Sequence, residues 1–258
     1  MSLDTEHWVD ALLDAEARRQ PMAPISDTVT DLTVADGYGI QAALLERRVA
    51  RGERIVGAKL GLTSRAKQQQ MGVTEPTFGW LTEAMVLAAD GTVPVDQLIH
   101  PRVEPEIAFV LDHELGGRRA TVHDVLAASH VCCALEVIDS RYADFRFTLA
   151  DVVADNTSAA RFALGPRRVP TDGIDLSLIG CLLEVDGEPV ATAAGAEVLG
   201  HPAAAVALLV NELAERGTTF PAGSIILSGG LTAAVALGAD RHVTATWGRL
   251  GSLTVFGG

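Results

Sequence analysis

Cationic side chains are scarce in this chain: 20 lysines and arginines stand against 33 aspartates and glutamates, a formal net charge of −13. Binding to nucleic acid depends on a basic face, so that class of function is excluded, and docking on anionic membrane surfaces is disfavoured with it. Cysteine is scarce too. Cys132, Cys133 and Cys181 are odd in number and two are adjacent, which excludes a disulfide framework and suits a reducing compartment. His130-Val-Cys-Cys133 lacks a second ligand pair at finger spacing, so it makes no zinc site. No apolar run approaches the roughly 20 residues that span a bilayer. The N-terminal Met1-Ser-Leu-Asp-Thr-Glu-His7 is polar and acidic rather than a secretory leader. Internal repeats and low-complexity segments are also missing. Together these absences point to a soluble, cytoplasmic protein.

The 258 residues are 48% hydrophobic, with a mean hydropathy of +0.25, which is ample material for a packed core. Trp8, Leu12 and Ala15 recur at helical spacing and predict a helix over residues 5–19, stopped by Pro21 and Pro24. Thr33 is placed to cap a second helix that runs to about Val49 and carries Ile40 and Leu44 on one side. Arg54 to Ser64 reads as a strand entering a short helix over residues 65–71, and Glu75-Pro-Thr-Phe-Gly-Trp80 has turn chemistry. Strands follow at 85–88, 103–112, 131–139, 160–164, 179–186, 224–228 and 242–256, interrupted by helices at 121–129 and 202–216. Asp186-Gly187 marks a hairpin turn. Helices first, then a strand-rich region with few βαβ units, is the pattern of an α+β fold. The expected organisation is a helical N-terminal region, 1–80, packed on a mixed β body, 81–258, that carries the catalysis.

The most informative stretch is Arg102-Val-Glu-Pro-Glu-Ile-Ala-Phe-Val-Leu111. Glu104 and Glu106 are two residues apart, and on a strand that spacing puts both side chains on one face. Two carboxylates roughly 4 Å apart repel by about 4 kcal/mol at an effective dielectric of ~20. Taken alone, the pair fits a solvated strand face equally well. Glu136 changes that, because every neighbour in Val131-Cys-Cys-Ala-Leu-Glu-Val-Ile138 is apolar and an unpaired charge there would be very costly. Three carboxylates offering only oxygen suit a hard divalent cation, Mg²⁺ or Mn²⁺. Arginine pairing, through Arg102 or Arg141, is the rival.

Four further features carry chemistry of their own. Ile55, Gly57, Lys59 and Gly61 share one strand face, so the glycines leave room for a ligand beside the Lys59 ammonium; an edge-strand surface lysine is the plainer alternative. The segment lacks the spacing of a Walker loop. Arg141 and Arg146 offer guanidinium groups to a distal carboxylate of a dicarboxylate substrate, or pair with Asp139, Asp144 and Asp151. Asp155, Asn156 and Ser158 are loop-type polar residues that fit a binding loop or an ordinary capping turn. Leu227-Ser-Gly-Gly-Leu-Thr232 exposes backbone N–H groups suited to an anion.

These segments, in this order, resemble the 2-oxopent-4-enoate hydratase and 4-oxalocrotonate (2-oxo-3-hexenedioate) decarboxylase family of the fumarylacetoacetate hydrolase superfamily. The resemblance rests on Gly57-Ala-Lys-Leu-Gly-Leu-Thr-Ser64, Gln70-Met-Gly-Val73, His100-Pro-Arg-Val-Glu-Pro-Glu-Ile107, Ala134-Leu-Glu-Val-Ile-Asp-Ser-Arg141, Val152-Val-Ala-Asp-Asn156 and Gly195-Ala-Glu-Val-Leu-Gly200. It implies that Glu104, Glu106 and Glu136 are ligands of Mg²⁺ or Mn²⁺, and that Lys59 is catalytic. Arg141, Arg146, Asp155, Ser158 and Thr232 are then expected to contact the substrate. Ser140 to Leu149 and Ser228-Gly-Gly-Leu-Thr-Ala look more like the decarboxylase branch, so the implied reaction is loss of carbon dioxide from a small α-keto acid dicarboxylate in meta-cleavage degradation of aromatic compounds. The keto acid end would chelate the metal, which acts as the electron sink. Arg161 and Ala58 depart from the family pattern. The resemblance also implies a homo-oligomer associated with a homologous hydratase. The alternatives are the hydratase itself, using the same site to add water to 2-hydroxypenta-2,4-dienoate, and a non-catalytic partner subunit. A C–C hydrolase is disfavoured, since His7 is the only histidine before residue 100.

Overall fold

The computed structural model describes residues 3–64, 68–69 and 75–258. Helix α1, Thr5–Arg18, begins where the Asp4 side chain accepts a hydrogen bond from the His7 N–H, and it buries Val9, Leu12 and Ala15. Helix α2, Val34–Ala50, starts in a capping box made by Thr33 and Asp36 and buries Ile40 and Leu44. The two helices close a small core together with Ile25 and Tyr142. Ion pairs from Arg47 to Glu6 and Asp10, and from Arg48 to Glu16 and Glu53, run along their seam.

Strands β1 (Ile55–Gly61), β2 (Thr77–Thr82), β3 (Val86–Leu87), β4 (Thr92–Val93) and β5 (Arg102–Leu111) come next. Helix α3 (Val122–Ala128) leads into β6 (Ser129–Ile138), and helix α4 (Leu149–Ala154) precedes β7 (Ala159–Leu164) and β8 (Val169–Pro170). A hairpin of β9 (Gly180–Val185) and β10 (Glu188–Ala194) turns at Asp186 and Gly187, both at positive φ as that turn requires. Helix α5 (Pro202–Glu215) is followed by β11 (Ile225–Leu227), β12 (Val235–Ala236), β13 (His242–Trp247) and β14 (Gly251–Gly257).

Nine of these strands form one mixed sheet in the order β2-β1-β11-β5-β6-β7-β3, with β12 and β8 on its flanks; the other five form a second sheet, β10-β9-β13-β14-β4. The α+β class expected from the sequence is what the chain adopts. Two local expectations change. The segment 75–80 is mostly strand, because β2 pairs antiparallel with β1 and Gly79 sits where the Asn156 carbonyl would lie 2.5 Å from a Cβ. The single strand expected over 242–256 is a hairpin that turns through Arg249 at φ 67°. The division expected near residue 80 groups β1 and β2 with the helices, yet both strands lie in the large sheet. The short helix expected over 65–71, and the Gln70–Val73 motif, fall almost entirely outside the described residues.

The large sheet positions the site through simple alternation. Along β5, Val103, Ile107, Phe109 and Leu111 enter the main core, while Ala108 belongs to a smaller apolar cluster on the opposite face. Glu104 and Glu106 share that second face. Along β6, Val131, Cys133, Leu135 and Val137 enter the main core, which puts Glu136 with Cys132 and Ala134 on the second face. In β1, Ala58 and Leu60 enter the core and Lys59 lies between them on the other side. Each fully buried large apolar side chain contributes about 1.5–3 kcal/mol, so a one-residue slip of β5 would expel a row of them. The hydrophobic pattern therefore fixes the face on which the charged residues meet.

Candidate active site

Glu104 stands directly across from Glu136 in the β5–β6 register, and Glu106 faces Ala134 two pairs further along. One carboxylate oxygen from each of the three glutamates lies within 4.8 Å of the others. Glu106 and Glu136 are 0% exposed and Glu104 is 8% exposed, so this is a cluster of buried charge and not a solvated strand face. Lys59, 2% exposed, places Nζ 3.1 Å from Glu136 Oε2 and donates to the Thr157 carbonyl at 3.0 Å. Among the described residues, one ammonium, that of Lys59, stands beside the three carboxylates.

The electrostatics follow from that count. Burial, then the charge of Glu136, pushes Glu106 well above the ordinary carboxylate range. Glu136 is also raised by burial, against the pull of Lys59. Glu106 Oε2 accepts a hydrogen bond from the Gly229 N–H at 2.6 Å, while Glu106 Oε1 and Glu136 Oε1 have no hydrogen-bond partner among the described residues. Buried, unpartnered, oxygen-only donors gathered at one point fit a hard divalent cation. The arginine rivals do not account for them: among the described residues, neither Arg102 nor Arg141 forms an ion pair with these glutamates.

Two loops complete the floor. Ser228-Gly-Gly-Leu-Thr232 follows β11, and Ser228 and Leu231 donate backbone N–H bonds to the Ile107 and Pro105 carbonyls of β5. The anion its N–H groups meet is the Glu106 carboxylate. Gly230 lies against Glu104: a Cβ there would come within 2.8 Å of that carboxylate. The second loop is the turn Asn156-Thr157-Ser158, three successive residues with φ of 49°, 52° and 57°, a costly left-handed run for side-chain-bearing residues. The Asn156 amide holds it by accepting from the Trp80 N–H at 2.7 Å and donating to the Trp80 carbonyl at 2.9 Å. Thr157 Oγ1 donates to the Phe78 carbonyl at 2.9 Å. So clamped, the turn aims the Thr157 carbonyl at Lys59.

A cavity of about 310 Å³ opens over this floor, with Lys59, Glu104, Thr157 and Ser158 among its lining residues and apolar walls from Ile138 and Val152. Several expectations need correction against it. Arg141 does not face the cavity. It is buried and bound to the Asp155 carboxylate, to the Asp155 carbonyl and to the Asp139 carbonyl, the last two at 2.6 Å. Arg146 is out on the surface, paired with Asp27 at 3.1 and 2.5 Å. Asp155 serves Arg141 and Ser158 Oγ, with its carboxyl pushed up to about 6 by burial against the pull of Arg141. The Thr232 hydroxyl is turned to the Ala233 carbonyl at 2.9 Å. Gly57 and Gly61 make room for protein more than for ligand: a Cβ would fall 1.7 Å from the Ile225 oxygen at Gly57 and 2.5 Å from the Thr157 methyl at Gly61. Only Gly61 of the two borders the cavity. Arg161, unexplained in the sequence, donates to the Ala160 carbonyl at 2.8 Å and is not among the cavity-lining residues.

The structure adds residues to which the sequence assigned no substrate-binding role. Arg102 and Phe145 line the cavity, with the guanidinium carbon 3.9 Å above the ring centroid. The signal was present, since Arg102, Glu104 and Glu106 follow one period-2 row. The Thr157 carbonyl had no such signal, because a backbone acceptor leaves no trace in residue identity.

Known proteins are similar to this chain over most of its length. The family model described as fumarylacetoacetate (FAA) hydrolase, C-terminal, matches residues 54–255. A 4-oxalocrotonate decarboxylase of Pseudomonas putida is 43% identical over 242 residues, 93% of this chain and 92% of the relative. A 2-keto-4-pentenoate hydratase of Paraburkholderia xenovorans (strain LB400) is 42% identical over 233 residues, 90% of this chain and 87% of the relative. The structure of 4-oxalocrotonate decarboxylase from Pseudomonas putida G7, complexed with magnesium and adipate, matches with a TM-score of 0.94 at 40% identity, covering 99% of each chain.

Proposed function

The chain belongs to the fumarylacetoacetate hydrolase family, and from that premise we propose that it is a metal-dependent lyase that decarboxylates 2-oxo-3-hexenedioate (4-oxalocrotonate) to 2-hydroxypenta-2,4-dienoate. The observation that carries this reading is the near-complete structural match to a 4-oxalocrotonate decarboxylase. Glu104, Glu106 and Glu136 are the proposed ligands of Mg²⁺ or Mn²⁺; the convergence of all three and the unpartnered oxygens of Glu106 and Glu136 support the assignment. When bound, the ion supplies Lewis-acid stabilisation for the negative charge that develops at the keto end of the substrate.

The protein's own groups do the rest. An ammonium has three N–H donors; Lys59 directs two of them at Glu136 and the Thr157 carbonyl, leaving the third for a substrate in the cavity it lines. Lys59 would orient the substrate there and, after carbon dioxide departs, help protonate the enolate oxygen of the dienolate that remains, giving 2-hydroxypenta-2,4-dienoate. Ile138 and Val152 form an apolar wall that excludes water and so favours conversion of a charged carboxylate to neutral carbon dioxide. Ser158 is in position to touch the substrate. Asp155 and Arg141 act on it indirectly, by holding the turn that carries Ser158 and Thr157. Assembly with further copies of the chain, and with a homologous hydratase that consumes the product, belongs to the same reading; Leu178, 76% exposed, and Val190 supply apolar contact surface.

A second reading, hydration of 2-hydroxypenta-2,4-dienoate, is favoured by hydratase relatives at nearly the same identity. A paired assay separates the two. Chelator-sensitive carbon dioxide release from 2-oxo-3-hexenedioate supports the decarboxylase; hydration of the dienoate with no carbon dioxide release from the diacid supports the hydratase.

A further inference from the structure

A six-carbon α-keto diacid whose keto acid head sits at the three glutamates must place its distal carboxylate elsewhere in the cavity. Arg141 is committed to Asp155 and to backbone carbonyls, and Arg146 to Asp27 at the surface. Lys59 keeps one donor for the substrate, but its contact with Glu136 puts it at the keto acid end. Arg102 also lines the cavity, and no carboxylate pairs with it among the described residues.

Its placement is built rather than incidental. The guanidinium lies on the Phe145 ring, 3.9 Å from its centroid, which occupies one face of the cation and leaves its N–H edge for a planar acceptor. Phe145 is itself fixed. It follows Asp144 in a pair of left-handed residues, φ 57° and 55°, and its ring rests against His100 with centroids 4.7 Å apart. His100 is tied down in turn: its Nε2 bonds the Ser140 carbonyl at 2.8 Å, and its backbone N–H donates to the Asp139 carboxylate at 2.7 Å. Arg102 stands two residues from Glu104 on the same strand face, about 7 Å along the strand. The terminal carbons of an extended six-carbon chain are about 6 Å apart at ~1.5 Å per bond. This offset along the backbone is comparable with the length of the substrate.

We infer that Arg102, stacked on Phe145, holds the distal carboxylate and selects an α-keto dicarboxylate over an α-keto monocarboxylate. The inference rests on the substrate reading given above. The pairing is with the intact carboxylate, whose charge is lost from that end as the C–C bond breaks, so Arg102 contributes to substrate binding more than to the chemical step. Removing it raises KM for the diacid by about tenfold or more with a smaller change in kcat.

The test is a calorimetric titration of the Mg²⁺-loaded protein with 2-oxoadipate and 2-oxohexanoate, which share the keto acid head and differ only at the sixth carbon. The unmodified protein is expected to prefer 2-oxoadipate by about tenfold or more. Arg102→Met should bind both ligands alike, with the 2-oxohexanoate affinity unchanged, and Arg102→Lys and Phe145→Leu should fall between. A preference that survives in Arg102→Met overturns the inference, as does loss of both ligands together in that variant or the absence of any preference in the unmodified protein. Failure of both ligands to bind the unmodified protein in Mg²⁺ would instead count against the substrate reading itself.

Discussion

Lys59 Nζ and Glu136 Oε2 form a buried ion pair at 3.1 Å, with side chains only 3% and 1% exposed. The pair joins β1 to β6 across the face of the large sheet and neutralises one of three clustered carboxylates. It also sets the ammonium at the floor of the cavity.

Replacing this lysine separates its chemical role from its structural one. Lys59→Met is expected to lower kcat by about a hundredfold or more while Mg²⁺ affinity in calorimetry is not weakened, because the lost charge repels the cation. In chelator, removing one partner of such a pair costs about 3–5 kcal/mol in urea unfolding, and Mg²⁺ should restore most of that. Near-normal turnover in this variant would exclude Lys59 from the reaction.

The pH dependence has a definite sign. Burial raises Glu106 and Glu136 above the ordinary carboxylate range. A carboxyl raised in the folded state contributes stability that is fully present below its unfolded pKa, about 4.3. That contribution is lost as pH rises through the folded value. The chelated protein, compared with Glu106→Gln, should therefore lose thermal stability as pH climbs above the ordinary carboxylate range. Mg²⁺ requires the ionised carboxylates, so it should bind more tightly over the same rise and cancel the difference. A chelated protein that gains stability relative to Glu106→Gln over this range would contradict the buried-charge assignment in scanning calorimetry.

Gly230 offers a test that leaves all three glutamates in place. Its Cβ would meet the Glu104 carboxylate at 2.8 Å, and the glycine is not at positive φ, so Gly230→Ala disturbs the carboxylate more than the backbone. The expected result is a loss of Mg²⁺ affinity of about 10–100-fold with an unchanged circular dichroism spectrum. Unaltered affinity would mean that Glu104 does not need its present position.

Asn156 contributes two hydrogen bonds to Trp80 and a left-handed backbone at φ 49°. Asn156→Gly keeps the backbone and loses the bonds, a cost of about 1–3 kcal/mol. Asn156→Ala should be worse by about 1–2 kcal/mol, the penalty for a Cβ in that conformation. Urea unfolding measures both, and equal costs would refute the claim of strain.

Much of this was legible in the residues. Alternation around Glu104, Glu106 and Glu136 gave the face they share, Thr33 marked the start of α2, and Asp186-Gly187 marked the hairpin. What was not legible depended on contacts between distant segments. Arg141 looked available because Asp155, fourteen residues away, becomes its partner only when the turn after α4 folds back. Gly79 looked like part of a turn because the Asn156 carbonyl that requires it comes from another part of the chain. Phe145 gave no hint that it would support Arg102, since that contact joins the start of β5 to a left-handed turn.

The most direct measurement is a calorimetric titration of Mg²⁺ into the unmodified protein and into Glu106→Gln, with carbon dioxide release from 2-oxo-3-hexenedioate followed in parallel. One Mg²⁺ per chain and chelator-sensitive release are expected for the unmodified protein. The variant should keep its fold and lose both. Unchanged metal binding and turnover in Glu106→Gln would contradict the assignment of the three glutamates as the metal site.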